Sequence, residues 1–166
     1  LYRPVVDTRH VPAVRTPEFP ASWQQPIPRP GNLRLPDTFM FLNRPFRLRD
    51  VGWDSPSVAR LWRYHLHYFD WLSDDGIPSG EQRELIDRWI AGNPPPSSRR
   101  IGTGWEPYPL SLRIVNWIKW DLGMQRHGAP GLSDSATLSL ATQTRQLAAR
   151  LEYHLLGNHL WANAKA

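Results

Sequence analysis

Residues 109–122 read PLSLRIVNWIKWDL, and this stretch decides the fold class. Its apolar side chains recur with the spacing of an α-helix. These positions are Leu110, Ile114, Trp117, Ile118 and Leu122. They cover more than one stripe of the helix surface, so the sequence predicts a helix that is packed on two sides. The sequence on either side contains further helical patterns.

A first helix is predicted upstream, where the chain leaves a region rich in proline. Asp54 or Ser55 can cap this helix, and Pro56 suits its first turn. Apolar residues then recur with helical spacing up to Leu72, and Gly76 ends the segment.

Three more helical segments complete the pattern. Ser79 and Gln82 have the spacing of a capping box, and the helix that follows stops at Gly92 before a run of prolines. Further helices are predicted at residues 135–156 and 158–166. Successive antiparallel helices predict an all-α fold, either a partial (α/α) toroid or an array of helical hairpins. Because the last segment has no C-cap, we expect the natural protein to continue.

The N-terminal part of the chain has a different composition. Residues 1–54 are dense in Pro and Arg, and Pro removes backbone donors and clashes with a preceding helical turn. We therefore expect an extended arm with little regular structure that wraps the helical domain at residues 55–166. The best strand candidate in the arm is Thr38–Leu42.

The composition limits the possible partners. The formal net charge is +5 and the sequence pI is near 10.1, which favours an anionic partner, although a basic surface can also serve solubility alone. The Arg residues are scattered, which argues against nucleic acid. There is no cysteine and no apolar run long enough to span a membrane. No phosphate-binding loop or metal-ligand spacing is present, so we expect neither cofactor nor metal.

Three long segments and one short one carry a family resemblance. They are LWRYHLHYFD at 61–70, GTGWEPYPLSLRIVNW at 102–117, LEYHLLGNHLWANAKA at 151–166, and FLN at 41–43. In this order they resemble the N-terminal domain of the heparinase II/III-like polysaccharide lyases. The resemblance covers roughly residues 39–166.

The resemblance implies a helical toroid followed by a β-sandwich, and β-elimination on polysaccharides that contain uronic acids. It also implies a periplasmic or secreted location. In such lyases an Asn or His neutralises the substrate carboxylate, and a Tyr or His base removes the neighbouring ring proton. Asn158 and His159 match the family's active-site pair. The base-bearing Tyr and a second His are expected further along the chain, so this segment is expected to be catalytically incomplete and to need the C-terminal part of the same chain.

Each of these two residues also has a simpler interpretation. Asn158 follows Gly157 and precedes a helical run, which is the pattern of an N-cap. The two roles are compatible, because a helix N-terminus attracts carboxylates. His159 taken alone is typical of a histidine at the surface or the edge of a core.

Seven further residues are candidates for substrate binding: Arg113, Trp105, Tyr108, Glu106, Asn116, His65 and Tyr68. Aromatic rings at the end of a loop suit stacking against sugars, and a guanidinium suits an anionic group. Arg113 alternatively pairs internally, for example with Glu106, which itself lies where it complements a helix dipole. His65 and Tyr68 alternatively belong to the core.

Two other functions fit the same residues. A binding module would hold an acidic glycan through Trp and Arg without cleaving it. A purely structural helical domain would bury most of the nine Trp residues and lack a basic groove.

Overall fold

A computed structural model describes Gln24, Ile27 and residues 31–97, 101–155 and 157–166. Within these residues the protein is mostly helical, with one small antiparallel sheet. The helices are α1 (Leu48–Val51), α2 (Arg60–Tyr68), α3 (Ser79–Gly92), α4 (Pro107–Arg126), α5 (Asp134–Ala148) and α6 (Asn158–Lys165). None of the described helices is both long enough and apolar enough to cross a membrane.

The sheet has three strands in sequential order: β1 (Leu33–Arg34), β2 (Thr38–Phe41) and β3 (Arg44–Arg47). Leu42 and Asn43 join β2 to β3, and both have positive φ, 54° and 59°, which matches the twist of a two-residue hairpin.

The strand prediction is confirmed for Thr38–Phe41, whereas Leu42 lies in the turn. The expectation of little regular structure before residue 55 was wrong for residues 33–51. The reason is packing: Phe39 and Phe41 are buried against the helices, and such alternation favours a strand. Residues 1–23, 25–26 and 28–30 of the arm predicted for residues 1–54 lie outside the described residues.

The first predicted helix is shorter than expected. It occupies α2 only, because Asp54 is engaged elsewhere: its carboxylate accepts hydrogen bonds from Arg63 Nη1 at 2.6 Å and from the Thr103 backbone N–H at 2.9 Å. The helix ends at Phe69, which adopts a left-handed conformation with φ of 59°, and a 3₁₀ turn at Asp70–Ser73 follows.

The second predicted helix is confirmed as α3, with both ends as expected. The capping box was wrong, because Ser79 makes no capping hydrogen bond and Gln82 is buried. The Gln82 amide nitrogen donates to the Leu72 carbonyl at 3.1 Å, and its oxygen accepts from Trp120 Nε1 at 2.6 Å. Gln82 therefore connects α3 to α4 instead of capping its own helix.

The later helices start near the predicted positions but one of them ends early. α4 begins two residues before Pro109, and α5 begins after Ser133, whose hydroxyl accepts from the Ala136 N–H at 3.2 Å. α5 stops at Ala148, so its predicted extension to residue 156 was wrong. The segment after Ala148 contacts α6 instead of continuing the helix, and the Glu152 N–H donates to Asn163 Oδ1 at 2.9 Å.

The core is aromatic. Of the eight Trp in the described residues, six are buried: Trp62, Trp71, Trp89, Trp105, Trp117 and Trp120. Trp89 of α3 lies at the centre, where its Nε1 donates to His67 Nδ1 at 3.0 Å and its ring packs edge-on against Phe69 and Trp117. Aromatic pairs of this kind contribute about 0.5–1.5 kcal/mol beyond the area they bury.

We predict that Trp89→Ala lowers the free energy of unfolding by about 3–5 kcal/mol, because it leaves a large cavity between α2, α3 and α4. Trp161→Ala is the matched control, since Trp161 is 76% exposed, and it should change stability by less than about 0.5 kcal/mol. Urea unfolding followed by circular dichroism measures both. Equal losses for the two variants would contradict the central position of Trp89.

The lowered pKa of buried His67 predicts that the protein loses stability in acid. Burial, together with the charge of Arg113, lowers the pKa of His67 from 6.5 to about 3. Between these values the unfolded chain takes up a proton that the folded protein does not. The free energy of unfolding should therefore fall with pH below 6.5, at up to about 1.4 kcal/mol per pH unit from this residue.

Urea unfolding between pH 7 and pH 5 tests this prediction. His67→Asn keeps an acceptor for Trp89 but cannot titrate, so its stability should depend less on pH. His127→Asn is the control, because His127 is exposed and should leave the slope unchanged. The prediction fails if the His67 variant retains the full slope.

Candidate functional site

Four side chains from three helices meet at one surface, which we name the aromatic cluster: Tyr64, Tyr68, Tyr108 and His159. The Tyr108 ring contacts the other three, with centroid distances of 6.5 Å to Tyr64, 5.9 Å to Tyr68 and 4.3 Å to His159. The His159 contact is a stack with an interplanar angle of 25°.

Local geometry explains why these residues meet. Tyr64 and Tyr68 are four residues apart in α2, so they share one face of that helix. Tyr108 lies in the first turn of α4 and His159 in the first turn of α6. Because α6 packs against α4, the two rings stack.

Glu106 provides the negative charge of this surface. Its carboxylate Oε2 accepts hydrogen bonds from the Tyr64 hydroxyl and from Arg60 Nη2. The expected pairing with Arg113 was therefore wrong, and the partner is Arg60, whose side chain is 63% exposed. Glu106 precedes α4 without a side-chain capping hydrogen bond.

The tyrosine hydroxyls of α2 stay protonated at neutral pH. Burial, followed by the hydrogen bond and charge of Glu106, raises the pKa of Tyr64 to about 12. Burial and the neighbouring Tyr108 and Tyr64 also raise the pKa of Tyr68 well above its usual 10. Tyr64 already donates its one O–H to Glu106, so of the two only the Tyr68 hydroxyl can donate to a ligand, and both are poor general bases.

His159 is held by a residue that the sequence reasoning missed. Its Nδ1 lies 3.0 Å from Glu152 Oε2, and the side chains are 29% and 14% exposed. Glu152 precedes His159 by seven residues across a non-helical segment, so no helical spacing pointed to this pair.

Asn158 is exposed at the first residue of α6. The N-cap position belongs to Gly157, whose φ of 86° suits glycine, and the Asn158 side chain makes no capping hydrogen bond among the described residues. The simple N-cap interpretation was therefore wrong. The backbone N–H groups of this first turn have no acceptor within the helix, so they add positive potential beside the Asn158 amide.

Two predicted substrate-binding residues lie in the core and cannot contact a substrate there. Arg113 is fully buried: its Nε donates to Gln143 Oε1 at 2.8 Å, and its guanidinium carbon lies 3.9 Å from the centre of the Trp89 ring. Trp105 is only 4% exposed, and its Nε1 donates to the Asn93 carbonyl at 3.2 Å.

The loop end that was expected to present Trp105 to a sugar is a 3₁₀ turn instead. Thr103 and Gly104 are buried in a 3₁₀ turn, and a Cβ on Gly104 would lie only 2.7 Å from the His67 ring.

A cleft of about 620 Å³ lies beside the aromatic cluster, between α4 and residues 65–79. Three of the predicted site residues line it, namely His65, Tyr68 and Asn116. Asn116 Nδ2 donates to the Tyr68 carbonyl at 2.9 Å, and His65 packs edge-on against Tyr68.

The cleft has a mixed charge. Its charged lining residues include Asp70, Asp74 and Asp75 on one segment and Lys119 and Lys165 on α4 and α6. Carboxylates accept hydrogen bonds from hydroxyl groups, whereas ammonium groups attract anions. The cleft can thus hold a ligand that carries both hydroxyl and carboxylate groups.

In the described part of the chain, no group of three His, Cys, Asp or Glu side chains is arranged to hold a metal ion. No protein-family model matches this chain, and no curated protein or solved structure matches it significantly.

The Tyr64–Glu106 contact predicts a measurable titration. Glu106→Gln removes the negative charge that disfavours tyrosinate, so the pKa of Tyr64 should fall from about 12 toward 10. Ultraviolet absorbance of tyrosinate in an alkaline titration measures this shift, and Tyr64→Phe identifies the signal. Glu84→Gln is the control, because Glu84 is exposed on α3. An unchanged Tyr64 titration in Glu106→Gln would contradict the contact.

Proposed function

We propose that this chain is the N-terminal part of a polysaccharide lyase-like enzyme that cleaves uronic-acid-containing polysaccharides by β-elimination. The single observation that carries the proposal is the placement of Asn158 and His159 in one exposed helical turn, with His159 stacked on Tyr108. We further propose that the helices form the first part of an (α/α) toroid. The contacts of α4 with α2, α5 and α6 support this arrangement.

The proposed chemistry is an elimination. The Asn158 amide and the N–H groups of the first turn of α6 bind the sugar carboxylate, which makes the adjacent ring C–H more acidic. A base removes that proton, the C–H electrons form a ring double bond, and the bond to the leaving oxygen breaks. An acid then protonates that oxygen. In the lyases that the chain resembles, the base-bearing Tyr and a second His follow later in the sequence.

The surroundings of the site suit an acidic sugar chain. The exposed Arg60 lies at one side of the aromatic cluster, and Lys119 and Lys165 line the adjoining cleft. The protonated Tyr68 hydroxyl lines the cleft and is available as a hydrogen-bond donor, since burial raises its pKa. The net charge of +5 favours the approach of a polyanion, and this attraction should weaken with salt.

One observation favours the second candidate, an acidic-glycan-binding module without activity. Trp161 lies three residues after Asn158, on the same side of α6, and is 76% exposed. An indole in that position can stack on a sugar face without any catalytic group. The structural-domain alternative is supported only by the first of its two conditions, because six of the eight Trp in the described residues are buried.

An ultraviolet assay of the full-length protein on a panel of acidic polysaccharides tests the proposal, because elimination leaves an absorbing unsaturated uronate. Asn158→Ala and His159→Ala should each lower kcat/KM by about 10²-fold or more. His154→Ala is the matched control, since His154 is exposed in the segment before α6 and should retain activity. Glycan binding without new absorbance would favour the binding module. Full activity in both site variants would place the chemistry elsewhere.

A further inference from the structure

The described residues between α5 and α6 form no helix or strand, yet α6 holds Glu152 at two points. The Glu152 backbone N–H donates to Asn163 Oδ1 at 2.9 Å, and Asn163 is only 4% exposed. The Glu152 side chain reaches His159 Nδ1, with Oε2 at 3.0 Å. Both the backbone and the carboxylate of this residue are therefore fixed relative to the same helix.

The His159 ring is held at one edge and one face. Glu152 contacts its Nδ1 edge, and the ring stacks on Tyr108 at 4.3 Å. The opposite nitrogen, Nε2, makes no hydrogen bond to any residue that the structure describes, and the His159 side chain is 29% exposed. The ring thus has one engaged nitrogen and one that is open to a ligand.

The chemistry of the pair decides where the proton lies. An ionised carboxylate can only accept hydrogen bonds, so the contact with Glu152 requires a proton on His159 Nδ1. In the neutral imidazole the lone pair then belongs to Nε2. A carboxylate at the first nitrogen also orients the ring, as it does for histidines that bind metals.

We propose that Glu152 is a positioning residue that holds His159 in the tautomer whose Nε2 accepts a hydrogen bond from the substrate. Asn163 supports this arrangement by fixing the Glu152 backbone. The nature of the substrate, a hydroxyl-bearing acidic sugar, rests on the proposed function. The tautomer is independent of the proposed function, because the contacts of Glu152, His159 and Tyr108 define it without a ligand.

Nitrogen NMR of the full chain with ¹⁵N-labelled histidine tests the tautomer at neutral pH. We expect neutral His159 to carry its proton on Nδ1 in the wild type. In Glu152→Leu, which has no acceptor, the proton should move mainly to Nε2. His159→Gln identifies the signal, and Glu84→Leu, an exposed glutamate on another helix, should change nothing.

Glu152→Gln keeps an acceptor oxygen without the charge, so its Nε2–H fraction should lie between those of the wild type and Glu152→Leu. This variant also covers the case in which Glu152→Leu fails to fold, which the dispersion of the amide spectrum reveals. A wild-type His159 that carries its proton on Nε2 overturns the proposal. The same holds for a tautomer that neither Glu152 variant changes.

Kinetics separate this proposal from the proposed function. In an active full-length protein, Glu152→Leu should lower kcat by at least about tenfold while KM changes little, as expected when a histidine loses its correct tautomer. Lyase activity with an unchanged tautomer would overturn the role of Glu152 and leave the function standing. The expected tautomer shift without any lyase activity would support the role of Glu152 and contradict the function.

Discussion

The hydrogen bond from Trp89 Nε1 to His67 Nδ1 is the interaction on which the rest of the structure depends. It joins α3 to α2 inside the core, where an unsatisfied indole N–H or imidazole nitrogen would cost about 1–3 kcal/mol. The same indole packs against Phe69 and Trp117 and faces the guanidinium of Arg113, so α4 is aligned by the same ring. Because His67 belongs to the same helix as Tyr64 and Tyr68, this hydrogen bond also helps to fix the helix that carries two members of the aromatic cluster.

Arg113 shows how a residue type can suggest the wrong location. A guanidinium suits an anionic substrate, but Arg113 lies three residues after Leu110 and four before Trp117, both of which face the core. Helical spacing alone therefore predicts that Arg113 faces the core. Its charge is compensated by neutral groups, the Gln143 amide oxygen at 2.8 Å and the face of the Trp89 ring. Such burial is costly, which is why burial lowers the pKa of Arg113 well below its usual value.

Local signals predicted more of the fold than of the site. Gly92 and the prolines after it mark the end of α3, which was predicted correctly because these residues act within one or two turns. The start at Ser79 was also correct, although the capping box from which it was predicted does not form. The end of α5 depends instead on Glu152 and its contacts with α6, which lie outside any local pattern. In the site, Tyr108 and His159 were both named from the sequence and do meet. Their partner Glu152 was not, because the pair is formed by a turn of the chain and not by a repeat.

The contrast between the buried tryptophans and Trp161 has a practical consequence for spectroscopy. Trp161 is 76% exposed and lies two residues from His159, whereas Trp62, Trp89 and Trp117 are at most 1% exposed. A water-soluble quencher such as acrylamide should therefore reach Trp161 and leave those core indoles bright. The share of the quenched emission that comes from Trp161 is a built-in reporter of whatever occupies the first turn of α6, and it requires no dye.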